Sequence, residues 1–324
     1  MSEKDQQEDE VAIPKPSRAR RVIRWLVIVM CVWLLGDFGY SRYVASKIED
    51  WESKVRWTET GYTPDASEVI YRKAESTKSA LLMVHGFSDT PQMYRKLGPK
   101  LASRGYDCHT ILLPGFGRDV EAYANGKSEK WVQKVEEKLR ELKNEYEHVV
   151  LVAHSLGGAV SINVTLDGET RPDALVLLAP AIEVSNSRSP ILPTRFWHEF
   201  SKYALPSTKI TYSPFKMDAK DPAEQERELR NRFSPRSVVD ETFKLIDANR
   251  GRAGEIQCPT LVFNAVNDKV VDPNAIESFY EQCGSEAKGI TRLSESGHMV
   301  PVDVEWMDVV EQTDKFLIGA FKID

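Results

Sequence analysis

Val150-Leu-Val-Ala-His-Ser155-Leu-Gly-Gly158 runs from an apolar stretch into a pair of glycines through one serine. Val150 to Val152 has the unbroken apolar character of a buried strand, and the chain from Leu156 onward reads as a helix. A sharp strand-to-helix turn at Ser155 projects its hydroxyl at the turn. Small residues at Ala153 and Gly157 let the helix cross the strand closely. A small-x-Ser-x-Gly string is common by itself. Its position between a buried strand and a helix makes Ser155 a candidate nucleophile rather than an ordinary helix N-cap.

Outward from this turn, β-rich runs alternate with helical ones. Val69–Arg72, Ala80–His85, Cys108–Leu113, Val149–Val152, Ala174–Leu178, Thr260–Phe263 and Ile290–Leu293 read as strands. Pro91–Arg104, Lys127–Tyr146 and Met307–Phe321 read as helices, the second with Trp131, Val135 and Leu139 on one face. Continuous Val/Leu/Ile runs suit central parallel strands covered by helices on both faces. The fold expected is a doubly wound, mostly parallel α/β sheet spanning residues 67–324. Residues 181–247 interrupt the alternation: they lack a convincing strand but are rich in aromatics, which predicts a mostly helical cap insertion.

A serine hydroxyl needs a base to take its proton, and the base needs a group that orients it. On this fold the order is serine, acid, histidine. Only His198 and His298 follow Ser155. His198 belongs to the aromatic insertion, whereas His298, in Ser294-Glu-Ser-Gly-His298, stands just past a strand. His298 is therefore the expected base. Two carboxylates follow the preceding strand. Asp268 lies nearer its end and is the expected acid, and Asp272 before Pro273 reads as an N-cap. The backbone N–H groups of Leu156 and Phe87 are the expected oxyanion donors, with His85 bracing the Phe87 loop.

His85-Gly-Phe87, His154-Ser155-Leu-Gly-Gly, Asn267-Asp268-Lys-Val-Val and Gly297-His298 together resemble the α/β-hydrolase superfamily. The similarity runs from about Val69 to the C-terminus and is nearest to bacterial carboxylesterases and monoacylglycerol lipases, which are grouped with serine aminopeptidase-like hydrolases. Two positions depart from the usual pattern. Ala153 replaces the first glycine of the elbow, and Asn264-Ala265 stands where His-Gly is common. The resemblance implies a cofactor-free, metal-free hydrolase of small-molecule esters or lipids with apolar acyl groups. It also implies a cap over an acyl pocket, for which Phe196, Trp197 and Phe200 are the candidate lining residues. An aminopeptidase or amidase with the same three residues is the alternative within the enzyme class. A non-catalytic, ligand-binding descendant is the alternative outside it.

The first forty residues differ from the rest. Residues 1–21 combine an acidic start with a basic stretch and read as a disordered tail. Residues 22–40 are apolar for about 28 Å of helix, near the thickness of a bilayer core, and predict a single-pass anchor. Arg24 and Asp37 stand near its ends, and Trp25, Trp33, Phe38 and Tyr40 supply interfacial rings. A cleaved signal peptide and a buried soluble helix are the competing readings. Basic residues flank both sides, so orientation is weakly specified, with a lean toward a cytoplasmic N-terminus. In the linker 41–66, Val44, Ile48, Trp51 and Val55 recur at helical spacing, fitting either a membrane-surface helix or one packed on the domain. The net charge of −6 argues against a nucleic-acid partner, and four dispersed cysteines form no zinc or disulfide pattern.

Overall fold

The computed structural model describes residues 17–72, 77–189, 191–227 and 231–322. Most of the expected tail therefore lies outside the described residues. Nine strands occur among the described residues: β1 (Ile70–Tyr71), β2 (Ser79–Val84), β3 (Asp107–Ile111), β4 (His148–His154), β5 (Ala174–Leu178), β6 (Ile210–Tyr212), β7 (Phe233–Pro235), β8 (Thr260–Ala265) and β9 (Lys288–Leu293). Seven of them form one sheet in the order β1-β3-β2-β4-β5-β8-β9, parallel throughout except for β1. The helices are α1 (Arg18–Lys54), α2 (Leu97–Ala102), α3 (Val120–Ala124), α4 (Ser128–Lys143), α5 (Leu156–Asp167), α6 (Thr194–Ala204), α7 (Pro222–Arg227), α8 (Arg236–Asn249), α9 (Pro273–Gln282) and α10 (Trp306–Phe321).

Burial explains why the central strands read as continuous apolar runs. Successive strand residues point to opposite faces, and both faces of β2 are covered. Ala80, Leu82 and Val84 join Trp131, Val135 and Leu139 of α4 in one core. Leu81 and Met83 join Leu97 and Leu101 of α2 and Leu317 of α10 in the other. The helix expected over Pro91–Arg104 is broken into a 3₁₀ turn at Pro91–Tyr94 and a short α2. Pro99 accounts for the break. Without an N–H it fits only the first turn of a helix, so α2 starts two residues before it.

The insertion between β5 and β8 carries α6, α7 and α8, and also a two-stranded antiparallel sheet of β6 and β7 that the sequence did not announce. These strands are three residues each, too short to show a period of their own. Packing supplies what periodicity does not: Tyr212 lies against Phe233 across the pair, with ring centroids 5.4 Å apart.

At the N-terminus the structure redraws the expected boundaries. Helix begins at Arg18, with the Ser17 hydroxyl accepting from Arg20 N, and continues without interruption to Lys54. Residues 22–40 and the first part of the segment 41–66 form one helix. No proline interrupts it, and the period of Val44, Ile48 and Trp51 continues past the apolar run. These three residues pack against Val120, Ile210, Tyr212 and Phe233, so the second half of α1 lies on the insertion. By length and composition α1 can cross a membrane, and only 6% of its most hydrophobic window is buried. Asp37 lies near the middle of α1. Its carboxylate turns into the insertion and accepts from Ser207 N at 2.7 Å and Thr208 Oγ1 at 2.6 Å.

Candidate active site

Parallel strands all end at one edge of the sheet, and the loops leaving β2, β4, β8 and β9 meet there. Ser155 terminates β4 at φ 52°, ψ −117°, a conformation that non-glycine residues rarely adopt. Hydrogen bonds lock it in place: Ser155 N donates to Leu178 O, and Ser155 O accepts from Ala159 N and Ala181 N. A Cβ at position 157 would collide with the Val84 carbonyl, so glycine is what lets α5 start this close to β2. The Ser155 hydroxyl does not cap α5. It lies 2.9 Å from His298 Nε2.

His298 Nδ1 is 2.7 Å from Asp268 Oδ2, and the other oxygen of Asp268 accepts from Val270 N and Val271 N. That carboxylate is fully buried and holds the proton on Nδ1, leaving Nε2 bare toward the serine. Asp272 takes the place expected of it, capping α9 through Asn274 N.

Phe87 and Leu156 line the same cavity as Ser155. Two further histidines brace the surrounding loops. His85 Nδ1 donates to Gly86 O, and its Nε2 accepts from Leu113 N, so it is neutral; burial holds its pKa down at about 4. His154 Nε2 donates to His298 O at 2.8 Å, and burial together with neighbouring His298 holds it well below the ordinary range.

Three carboxylates that the sequence reading missed carry the His298 loop. Asp303 accepts from Gly297 N, and Glu305 accepts from the backbone of residues 294–296. Asp218, from the insertion, accepts from both His298 N and Lys269 N, so one side chain ties the histidine loop to the acid loop. The available signal was two acidic residues at 303 and 305, within an apolar stretch directly after the Gly-His pair.

Above Ser155 lies a cavity of about 530 Å³, walled on the insertion side by Trp197, Phe215 and Phe243. Of the three aromatics expected there, only Trp197 reaches it. Phe196 and Phe200 are 46% and 47% exposed and lie on the outer side of α6. The rotation of α6 is the reason: it turns the side carrying Thr194 and Trp197 to the cavity and leaves Phe196 and Phe200 facing away. They remain in ring contact with Trp197, with centroids about 6 Å away. The cavity wall contains Arg188, Arg232 and Lys269 but no carboxylate among the described residues. His198 is elsewhere, paired with Asp240 at 2.7 Å. With Glu199 these two form a cluster of possible metal ligands, but Lys202 Nζ already sits 2.7 Å from both carboxylates and offsets part of their charge.

The family model described as serine aminopeptidase S33 matches residues 75–305. A thermostable monoacylglycerol lipase of Bacillus sp. strain H-257 is 25% identical over 250 residues, covering 75% of this chain and 92% of that protein. A carboxylesterase of Bacillus subtilis strain 168 is 27% identical over 236 residues, covering 72% and 89%. Among solved structures, a metagenome-derived lipolytic enzyme superposes with a TM-score of 0.69 at 20% identity, covering 78% of this chain and 98% of that one.

Proposed function

The chain belongs to the serine aminopeptidase S33 family of α/β-hydrolases, and from its site we propose that it is a membrane-anchored hydrolase of carboxylic esters with apolar acyl groups. The observation that carries the reading is the hydrogen-bonded chain Asp268–His298–Ser155 beneath an apolar cavity. Ser155 Oγ attacks the ester carbonyl as His298 Nε2 takes its proton. Leu156 N–H and Phe87 N–H receive the negative oxygen of the tetrahedral intermediate. His298 then passes the proton to the departing alcohol, leaving an acyl group on Ser155. Water, deprotonated by the same imidazole, releases the acid and restores the serine. Asp268 keeps the imidazole in the productive tautomer.

The cavity wall also bears on ester against peptide. An aminopeptidase must bind the free ammonium of its substrate, which calls for a carboxylate. Among the described residues, the charged side chains lining this cavity are two arginines and a lysine. The nearby Asp218 is already 3.4 Å from Arg188. This favours a neutral or anionic ester over a peptide N-terminus. The sequence similarity to a monoacylglycerol lipase and a carboxylesterase points the same way. A panel of fatty-acyl glycerol esters, p-nitrophenyl esters and aminoacyl amides tests the proposal. Medium-chain esters should be turned over at least a hundredfold faster than any aminoacyl amide, and the reverse order would reject it.

The anchor is part of the same proposal. Helix α1 is too exposed to be the core helix of a soluble protein. It is also joined to the folded domain at Trp33, Asp37, Ser41, Val44 and Ile48, which supports a retained span over a cleaved leader.

A further inference from the structure

Two polar groups of α1 lie where lipid would leave them unsatisfied, and the cap satisfies both. Trp33 Nε1 donates to Ala204 O at 2.6 Å, and Asp37, only 3% exposed, receives Ser207 N, Thr208 N and Thr208 Oγ1. A carboxylate paired with two amides and a hydroxyl tolerates a low-dielectric setting that an unpaired one would not. All these partners belong to the five residues at and just after the end of α6, so α1 and α6 are fixed to each other at that point.

Helix length then sets the height of α6. Arg21 and Asp37 are sixteen residues apart, about 24 Å at 1.5 Å per residue, which falls short of a hydrocarbon core of about 30 Å. The bilayer must reach the level of Trp33 and Asp37 for α1 to cross it, and Ala204 sits at that level. Helix α6 has no buried residue. Its exposed apolar side chains run from Ile191 and Leu192, just before it, through Phe196 and Phe200 to Tyr203 beside the junction. On its inner side Trp197 lines the cavity.

We propose that Asp37 clamps the cap to the anchor and so lays the aromatic face of α6 in the lipid–water interface, with the cavity over Ser155 taking its substrate from the bilayer. The occupant of this face is the lipid itself, because the apolar surface of α6 continues into that of α1 at Trp33. This inference rests on the reading of α1 as a membrane span and of the protein as an ester hydrolase.

Full-length protein in phosphatidylcholine vesicles containing one-fifth phosphatidylglycerol tests it. Two substrates are compared, monooleoylglycerol dissolved in the bilayer and water-soluble p-nitrophenyl acetate. Asp37→Ala should lower kcat/KM for the bilayer substrate at least tenfold while acetate turnover stays within twofold, and Asp37→Asn should recover part of the loss. The double variant Ile191→Ser/Tyr203→Ser, which leaves the clamp intact, should show the same split. A bimane label on Ile191→Cys, in a Cys31→Ser background, should be quenched by nitroxide lipids and released from quenching by Asp37→Ala. If both variants hydrolyse the bilayer substrate at the unaltered rate, or if the label is never quenched, the inference is overturned. Failure of the protein to float with vesicles would reject the membrane reading, and failure to cleave either ester would reject the hydrolase reading.

Discussion

Ser155 is held at a backbone conformation that costs a non-glycine residue on the order of 1–3 kcal/mol, and three backbone hydrogen bonds sustain it. Locally stored strain of this kind is legible in sequence, because it requires a serine between a strand and close-approach glycines. Asp268 and His298 are legible for a related reason, each being tied to the end of a strand. Asp218 was not legible. Its work is to accept backbone N–H groups from loops 51 and 80 residues away, and no local pattern encodes that. Asp218→Ala should lower kcat about tenfold, equivalent to about 1.4 kcal/mol, with KM little changed, because the acid and histidine loops lose their shared acceptor. Asp218→Asn should recover part of the loss. Steady-state kinetics on a short ester, together with the rate of fluorophosphonate labelling, checks this.

At the scale of elements, the seven strands of the main sheet all overlap β-rich runs of the sequence, and unbroken apolar runs mark the central ones, β2, β4 and β5. Burial on both faces writes itself directly into composition. The insertion obeyed no such rule, since β6 and β7 are three residues each and depend on their mutual pairing and on packing against α1. Helix α6 shows the same limit. Its aromatics were visible in the sequence, but which of them faced the cavity depended on how the helix was rotated against the domain. The consequence is a split in mutational effect. Trp197→Ala enlarges the cavity and should shift the optimum of kcat/KM toward longer acyl chains. At about 0.8 kcal/mol per buried methylene, each added carbon that fits changes kcat/KM about fourfold. Phe196→Ala should leave the optimum where it is for soluble esters. Chain-length profiles on straight-chain p-nitrophenyl esters separate the two.

For the whole molecule, the apolar run at residues 22–40 announced a long apolar helix, but its attachment to the cap joins residues about 170 positions apart and had no sequence signature. Global stability has a pH dependence that follows from the braced histidines. His85 has an ordinary value near 6.5 when unfolded and about 4 when folded. Below about pH 6.5 the unfolded chain takes up a proton that the native state refuses, so stability is full above that pH and declines toward pH 4. The loss is about 3 kcal/mol for this one group, and His154 adds to it in the same direction. Urea midpoints between pH 7 and 4.5 should fall, and His85→Gln should flatten the decline. An unchanged slope in that variant would remove His85 as the cause. The proposed ester hydrolysis requires Ser155 as its nucleophile. The most direct measurement is mass spectrometry of the full-length, detergent-solubilised protein after reaction with a fluorophosphonate, run beside Ser155→Ala. The predicted result is a single adduct on the peptide containing Ser155, formed in proportion to the loss of monoacylglycerol hydrolysis, with neither adduct nor hydrolysis in Ser155→Ala. An adduct on another residue, or a Ser155→Ala protein that still hydrolyses the ester at near the original rate, would contradict it.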